Sequence, residues 1–370
     1  MVLMSTGNYR GMRRPWEALS CSEQVDLAAS SIALRASYDK RDAQTYKETT
    51  VAVHIKIPRP WDVPEHHITP EALYWNRRQI LRAMGLTGIG LAGVLAGCRS
   101  NQEVEQQIQQ RAQTLPKLSA PRNDAFRLDR PLTEEKVAAH YNNFYEFSSG
   151  KDNVWELATF QSAPWQVEIT GLVQRPQTLD IDDIRRLMPL EERRYRFRCV
   201  EAWAMAVPWI GFPMRALLER AEPLAKARFV RLTTFNFQEG KQSLFRTYPW
   251  PYTEGLSMAE AMHELTLLAV GIYGHTLPPQ HGAPLRLVTP WKYGFKSIKS
   301  VVRIELTETQ PATFWNTLVP SEYDFLANVN PTVPHPRWSQ ATERMLGSDE
   351  RRPTLLYNGY DAYVAHLYKT

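Results

Sequence analysis

Cysteine is scarce in this chain: Cys21, Cys98 and Cys199 are the three thiols among 370 residues. Three thiols cannot build a disulfide scaffold, and no two of them stand at metal-finger spacing. No apolar run reaches the roughly 18 residues of a membrane-spanning helix, which argues against a multi-spanning membrane protein. A strong charge excess is missing as well, since 44 basic residues face 39 acidic ones for a net +5. That mild surplus is spread along the chain and forms no clustered basic stripe, so nucleic acid is not an expected partner. There are no internal repeats, and no Cys-x-x-Cys-His haem attachment site occurs.

What the chain does have is unevenly distributed. Eleven Trp, 16 Tyr and 26 Pro are high counts, and most of them follow residue 140. Upstream, Arg77-Arg78 precedes an uncharged, Gly-rich stretch from Met84 to Gly97. That stretch is too short to span a bilayer but suits the apolar region of an export signal. Its five glycines would weaken a buried helix, and the paired arginines resemble a twin-arginine signal. It ends in Leu95-Ala96-Gly97-Cys98, for which two readings stay open. One is a lipobox whose cysteine becomes a lipid anchor, and the other an ordinary small-residue cleavage site. Export signals stand at N-termini, so residues 1–52 are expected to be an extension or disordered tail, with translation starting nearer residue 53. Residues 53–98 form the lead-in and signal. The Gln-, Arg- and Pro-rich stretch 99–140 reads as a linker.

Residues 141–370 read as one catalytic domain of α+β class, with mixed sheets and surrounding helices. Trp165 to Ile169 alternates like a strand, and Val302, Ile304 and Leu306 alternate likewise. Ile181, Ile184, Leu187 and Met188 have helical spacing, as do Met214, Leu217, Leu218 and Ala221 after Pro213. Ser257 and Glu260 form a capping-box pattern. No Gly-x-Gly-x-x-Gly loop occurs within this domain.

Arg194, Arg196 and Arg198 alternate with Tyr195, Phe197 and Cys199, which places Cys199 on the apolar face of a strand. Such a cysteine has three open fates: inert burial, nucleophile with a nearby base, or soft ligand to a metal. Spacing alone favours inert burial.

Longer motifs change the balance. Arg198-Cys199-Val200-Glu201-Ala202-Trp203, Val207-Pro208-Trp209-Ile210-Gly211 and His281-Gly282-Ala283-Pro284-Leu285-Arg286-Leu287-Val288 resemble the molybdopterin domain of the sulfite oxidase family. Tyr141 to Phe147, Pro290 to Lys296 and His335 to Arg344 resemble one branch of it, the catalytic subunits of periplasmic protein-methionine-sulfoxide reductases. The resemblance implies a sulfite-oxidase-type fold that binds Mo-molybdopterin, with the mononucleotide form favoured. It implies that Cys199 ligates molybdenum, and that Asn142, Tyr145, Glu146, Thr234, His281 and Arg286 contact the cofactor. Ser297, Ile298 and Lys299 match a stretch that holds its phosphate end, where a guanidinium fork and an ammonium make sense. Relatives can carry Asn at the place of His281, and both residues can donate a hydrogen bond.

Glu201 invites two readings, a proton relay beside the metal or a hydrogen-bond acceptor supporting its surroundings. Sulfite oxidases typically continue after their cysteine as Ala-Gly-Asn-Arg, where this chain has Val200, Glu201, Ala202 and Trp203. Replacing that arginine by tryptophan and adding an acid would repel sulfite and suit a neutral sulfoxide. Lys292 and Lys296 are expected either to add positive potential at the site or to be solvated. The family further implies reduction of methionine sulfoxide in oxidised periplasmic proteins, with electrons from a haem-containing membrane subunit. The alternatives are another oxo-transferase, acting on sulfite or small S- and N-oxides, and a cofactor-free exported binding protein of the same fold.

Overall fold

Val167 and Ile169 alternate with polar neighbours, and the chain there is a strand, β1 (Gln166–Gly171), with both apolar side chains fully buried. The structure is a computed structural model that describes residues 101–236 and 247–369. The chain divides into two units, Met1–Leu81 and Arg82–Thr370, and the first lies wholly outside the described residues. The N-terminal extension, the twin-arginine segment and Cys98 likewise lie outside the described residues.

The remaining strands are β2 (Gln177–Asp180), β3 (Glu191–Arg198), β4 (Trp203–Pro213), β5 (Phe229–Thr234) and β6 (Thr253–Ser257), then β7 (Leu267–Ile272), β8 (His275–Thr276), β9 (Arg286–Val288), β10 (Val301–Thr307), β11 (Thr342–Met345) and β12 (Arg351–Pro353). One sheet has the order β2-β1-β10-β5-β6, with β1 and β10 parallel. The other is seven-stranded, running β12-β11-β4-β7-β8, with β3 paired to β4 and β9 to β7.

The second sheet is covered on both faces, which explains why β4 and β7 are buried almost throughout rather than alternating. Phe212, Leu268 and Val270 point into a core shared with the first sheet and with helices Ile181–Leu187 and Met214–Ala221. Trp209, Leu267 and Ala269 face the opposite core with Tyr195, Phe197, Val288 and Trp291. The spacing readings of both helices hold, with Pro213 standing at the N-cap rather than in the first turn. The Ser257–Glu260 capping box is present in both directions. In β10 a register shift between Val301 and Arg303 moves the alternation, so Val301, Ile304 and Leu306 are the buried residues and Val302 is only partly so.

The stretch read as a linker is structured over its described part. Residues Asn101–Thr114 form a helix, the Leu118 amide donates to Gly274 and the Thr133 amide to Ala206. Ile108 is buried with Ala139 and Trp155. Polar composition hid this docking because so few apolar side chains carry it.

Candidate active site

Strand β3 ends at Arg198 and β4 starts at Trp203, so a four-residue loop, Cys199 to Ala202, closes the hairpin. The Cys199 amide donates to the Trp203 carbonyl (2.9 Å) and the Ala202 amide to the Cys199 carbonyl (3.1 Å). Ala202 has φ 66°, left-handed for a residue with a Cβ, a conformation that costs about 1–2 kcal/mol. The loop sets Cys199 against a cleft of about 810 Å³, open mouth included. The thiol is 5% exposed. Burial first, and the Glu201 carboxylate second, push it well above the ordinary thiol range. Inert burial and metal ligation both use such a thiol, and a bound metal would deprotonate it outright.

Glu201 is held on three sides. Its Oε2 accepts from Asn143 Nδ2 (3.0 Å) and Trp203 Nε1 (3.2 Å), and its Oε1 pairs with Lys151 Nζ (3.2 Å). Asn143 Nδ2 also reaches Cys199 Sγ (3.4 Å), and the Sγ lies 3.7 Å from Glu201 Oε2. The acid expected to repel anions therefore does not stand alone, because the Lys151 ammonium offsets its charge. Tyr145, Trp315, Tyr323 and Phe295 form an aromatic wall, with successive ring centroids 4.9, 5.0 and 5.1 Å apart.

Nine of the residues named from sequence line this one cleft: Asn142, Tyr145, Glu146, Cys199, Glu201, Arg286, Ser297, Ile298 and Lys299. Asn142 donates its side-chain amide to the Ala138 and Ala139 carbonyls, so it also finishes helix Glu135–His140. Ser297 Oγ accepts from the Thr289 amide, and Ile298 is a core residue. Arg286 is 2% exposed and donates to the carbonyls of His281, Ser297 and Leu287, its guanidinium lying 4.8 Å from the Trp209 ring. Burial lowers it to about 9. Lys299 donates to the Asn143 and Gln280 carbonyls, and burial lowers its ammonium well below the usual lysine range. Gly282, at φ +91°, makes room for it, since a Cβ there would come within 2.6 Å of the Lys299 stem.

Thr234 and His281 stand outside the lining. Thr234 Oγ1 donates to the Ser300 carbonyl (3.1 Å). His281 is 1% exposed, and neither ring nitrogen has a hydrogen-bond partner among the described residues. An imidazole buried that way is costly unless something not yet counted bonds to it. Together with a buried soft thiol and two cations answered only by carbonyls, it fits a polar, anionic cofactor that brings a metal.

Lys292 and Lys296 are neither solvated nor part of the lining. Lys292 Nζ meets Glu260 Oε1 at 2.5 Å and Asn328 Oδ1 at 2.9 Å, while Lys296 Nζ meets Glu254 Oε2 at 3.0 Å. Both pairs are buried, and they tie the 325–328 loop to the domain through the Phe325 and Leu326 carbonyls. Asn143 and Lys151, which do border the thiol and its acid, were not singled out by sequence. Asn143 sits inside the Tyr141–Phe147 motif, so that motif was the signal for it; for Lys151 there was none.

The family profile described as "Oxidoreductase molybdopterin binding domain" matches residues 155–315, which places the chain in the class of molybdopterin oxidoreductases. A catalytic subunit of protein-methionine-sulfoxide reductase from Burkholderia mallei is 45% identical over 318 residues, covering 83% of this chain and 93% of that protein. Its counterpart from Campylobacter jejuni is 48% identical over 309 residues, covering 82% and 97%. The chain belongs to the family of protein-methionine-sulfoxide reductase catalytic subunits. The solved sulfane dehydrogenase SoxCD from Paracoccus pantotrophus aligns with a TM-score of 0.36 at 17% identity, over 54% of this chain and 46% of that one.

Proposed function

We propose that this chain reduces methionine sulfoxide residues of oxidised periplasmic proteins to methionine. The observation that carries the reading is the aromatic-walled mouth around Cys199, where Lys151 pairs with Glu201. A mouth whose acid is already paired and whose wall is aromatic suits a neutral, dipolar sulfoxide flanked by apolar groups. When bound, molybdopterin would supply oxygen-atom transfer and two-electron redox chemistry.

The rest falls to the chain's own residues. Cys199 provides the soft thiolate ligand. The Asn143 amide is a donor beside that sulfur, suited to hold the sulfoxide oxygen, and Glu201 is placed to pass protons. Tyr145, Trp315 and Tyr323 exclude water and receive the methyl and thioether carbons. Arg286, Lys299 and Ser297 would hold the phosphate end of a mononucleotide form. Asn142, Tyr145, Glu146, Thr234 and His281 complete its surroundings, His281 through the ring nitrogens that lack protein partners.

The Arg77-Arg78 segment supports export by the twin-arginine route, with Cys98 a candidate for lipid attachment. The resemblance to periplasmic protein-methionine-sulfoxide reductases supports a haem-containing membrane subunit as the electron donor.

The decisive experiment is metal and pterin analysis of protein matured in a molybdenum-competent host, followed by competing assays. Reduction of a sulfoxide-containing protein should exceed oxidation of sulfite, and the reverse ranking overturns the assignment. Cys199→Ser should remove bound molybdenum and activity together.

A further inference from the structure

The motif from His335 to Arg344 contributes nothing to the lining of the cleft, yet it grips the loop that presents Cys199. The Val200 carbonyl accepts from Trp338 Nε1 and from Gln340 Nε2, both at 2.7 Å. Two donors on one carbonyl use both of its lone pairs. The Ala202 carbonyl accepts from the Arg344 amide at 2.9 Å, and Arg344 lies within β11, which pairs in parallel with the start of β4. Gln340 Oε1 in turn accepts from Arg198 Nη2 (3.0 Å), while Arg198 Nη1 donates to the Cys199 carbonyl. Behind them lies a buried ionic triad, with Arg198 Nε 3.2 Å and Arg130 Nη1 2.7 Å from the two oxygens of Glu343. Trp338 is itself fixed by stacking on His335, with centroids 3.8 Å apart and planes 6° off parallel.

Every carbonyl from Cys199 to Ala202 that these bonds reach is thus held from outside the hairpin or by Arg198, apart from the loop's own 199–202 bond. Such fixing is more than a four-residue turn requires, and a left-handed Ala202 persists only where surroundings over-determine it. We propose that Trp338 and Gln340 are positioning residues that set the direction in which Cys199 Sγ faces the metal. The inference rests on the reading of Cys199 as the metal ligand. Its physical content is that rotating the Val200–Glu201 peptide plane would break both 2.7 Å hydrogen bonds at once. Partners of this kind around metal ligands tune affinity and activity by about 10- to 100-fold.

Trp338→Phe keeps the stacked ring and deletes the indole donor; Gln340→Leu keeps the volume and deletes the amide. Each is tested alone, so one that failed to fold would leave the other to decide. In the cofactor-free chain, iodoacetamide alkylation of Cys199, followed by peptide mass mapping, should be faster than in the wild type. In the molybdenum-loaded enzyme, bound metal should stay near the wild-type amount while the paramagnetic molybdenum resonance changes its g values. Turnover should fall by about 10- to 100-fold with KM little changed. Wild-type alkylation rates together with an unchanged resonance in every variant that folds would overturn the proposal. Should Cys199→Ser retain molybdenum, the ligand reading fails, while the alkylation comparison still reports whether the two side chains fix the loop.

Discussion

Two sets of cations sit inside this protein, and they are handled in opposite ways. Lys292 and Lys296 are each matched by a buried carboxylate in direct contact. Arg286 and Lys299 are also desolvated, but among the described residues no carboxylate lies within ion-pair distance of either, and their donors go to carbonyls. Glu146 is the acid that acts on Lys299, and burial pushes its own carboxyl up to about 7, towards the neutral form. Buried charge is ordinarily paired. The first set is therefore complete as it stands, a device for fastening the 325–328 loop. The second has no such partner among the described residues, as a site for an anionic cofactor would.

That contrast can be broken most forcefully at Lys292. Lys292→Met strands Glu260 in the interior and should lower stability by about 3–5 kcal/mol, leaving cofactor content per folded molecule unchanged. A wild-type melting temperature would show that the pair is not a fastening.

A pH experiment on the cofactor-free chain comes next. Between pH 4.5 and about 7 the unfolded chain has released the Glu146 proton and the folded chain has kept it. Stability should then fall as pH rises through this window, by up to about 3 kcal/mol from this group. Urea titrations of wild type and Glu146→Gln across the window should diverge by that amount, the variant losing the slope. Parallel curves would remove Glu146 from the account.

Lys299→Met is the counterpart to Lys292→Met, with the two readouts exchanged. Its stability cost should be about 1 kcal/mol, since lost hydrogen bonds are set against relief of a desolvated charge. Retained molybdopterin, measured by fluorescence of its oxidised derivative, should fall about 10-fold or more. Smallest of all, Ala202→Gly should stabilise by about 0.5 kcal/mol, the left-handed strain relieved less the added chain entropy. Chemical denaturation would detect it, and destabilisation would mean that the Ala202 methyl packs usefully.

How much of this could be read beforehand depends on whether a residue's role is local. The capping box at Ser257, the two amphipathic helices and the cysteine at the end of a strand all follow from neighbours a few positions away, and they were legible. The lining residues from Asn142 to Lys299 were legible only as members of long motifs, since nothing local distinguishes Ile298 from other core residues. Arg198 misled, because alternation put it on the polar face whereas it is fully buried against Glu343. Lys292 and Lys296 misled for the same reason: a lysine is read as solvated unless its distant acid is known. Lys151 joins the site only because the 142–151 loop comes to rest beside the β3–β4 hairpin, and no pattern in sequence encodes that approach.

The grip of Trp338 and Gln340 on Val200 has a consequence for biogenesis. The cysteine loop is synthesised about 140 residues before the side chains that fix it. A chain still emerging from the ribosome, or one truncated before residue 338, would have the thiol without its bearing. On that proposal, the thiol takes its direction only once the segment that carries Trp338 and Gln340 has docked on the hairpin.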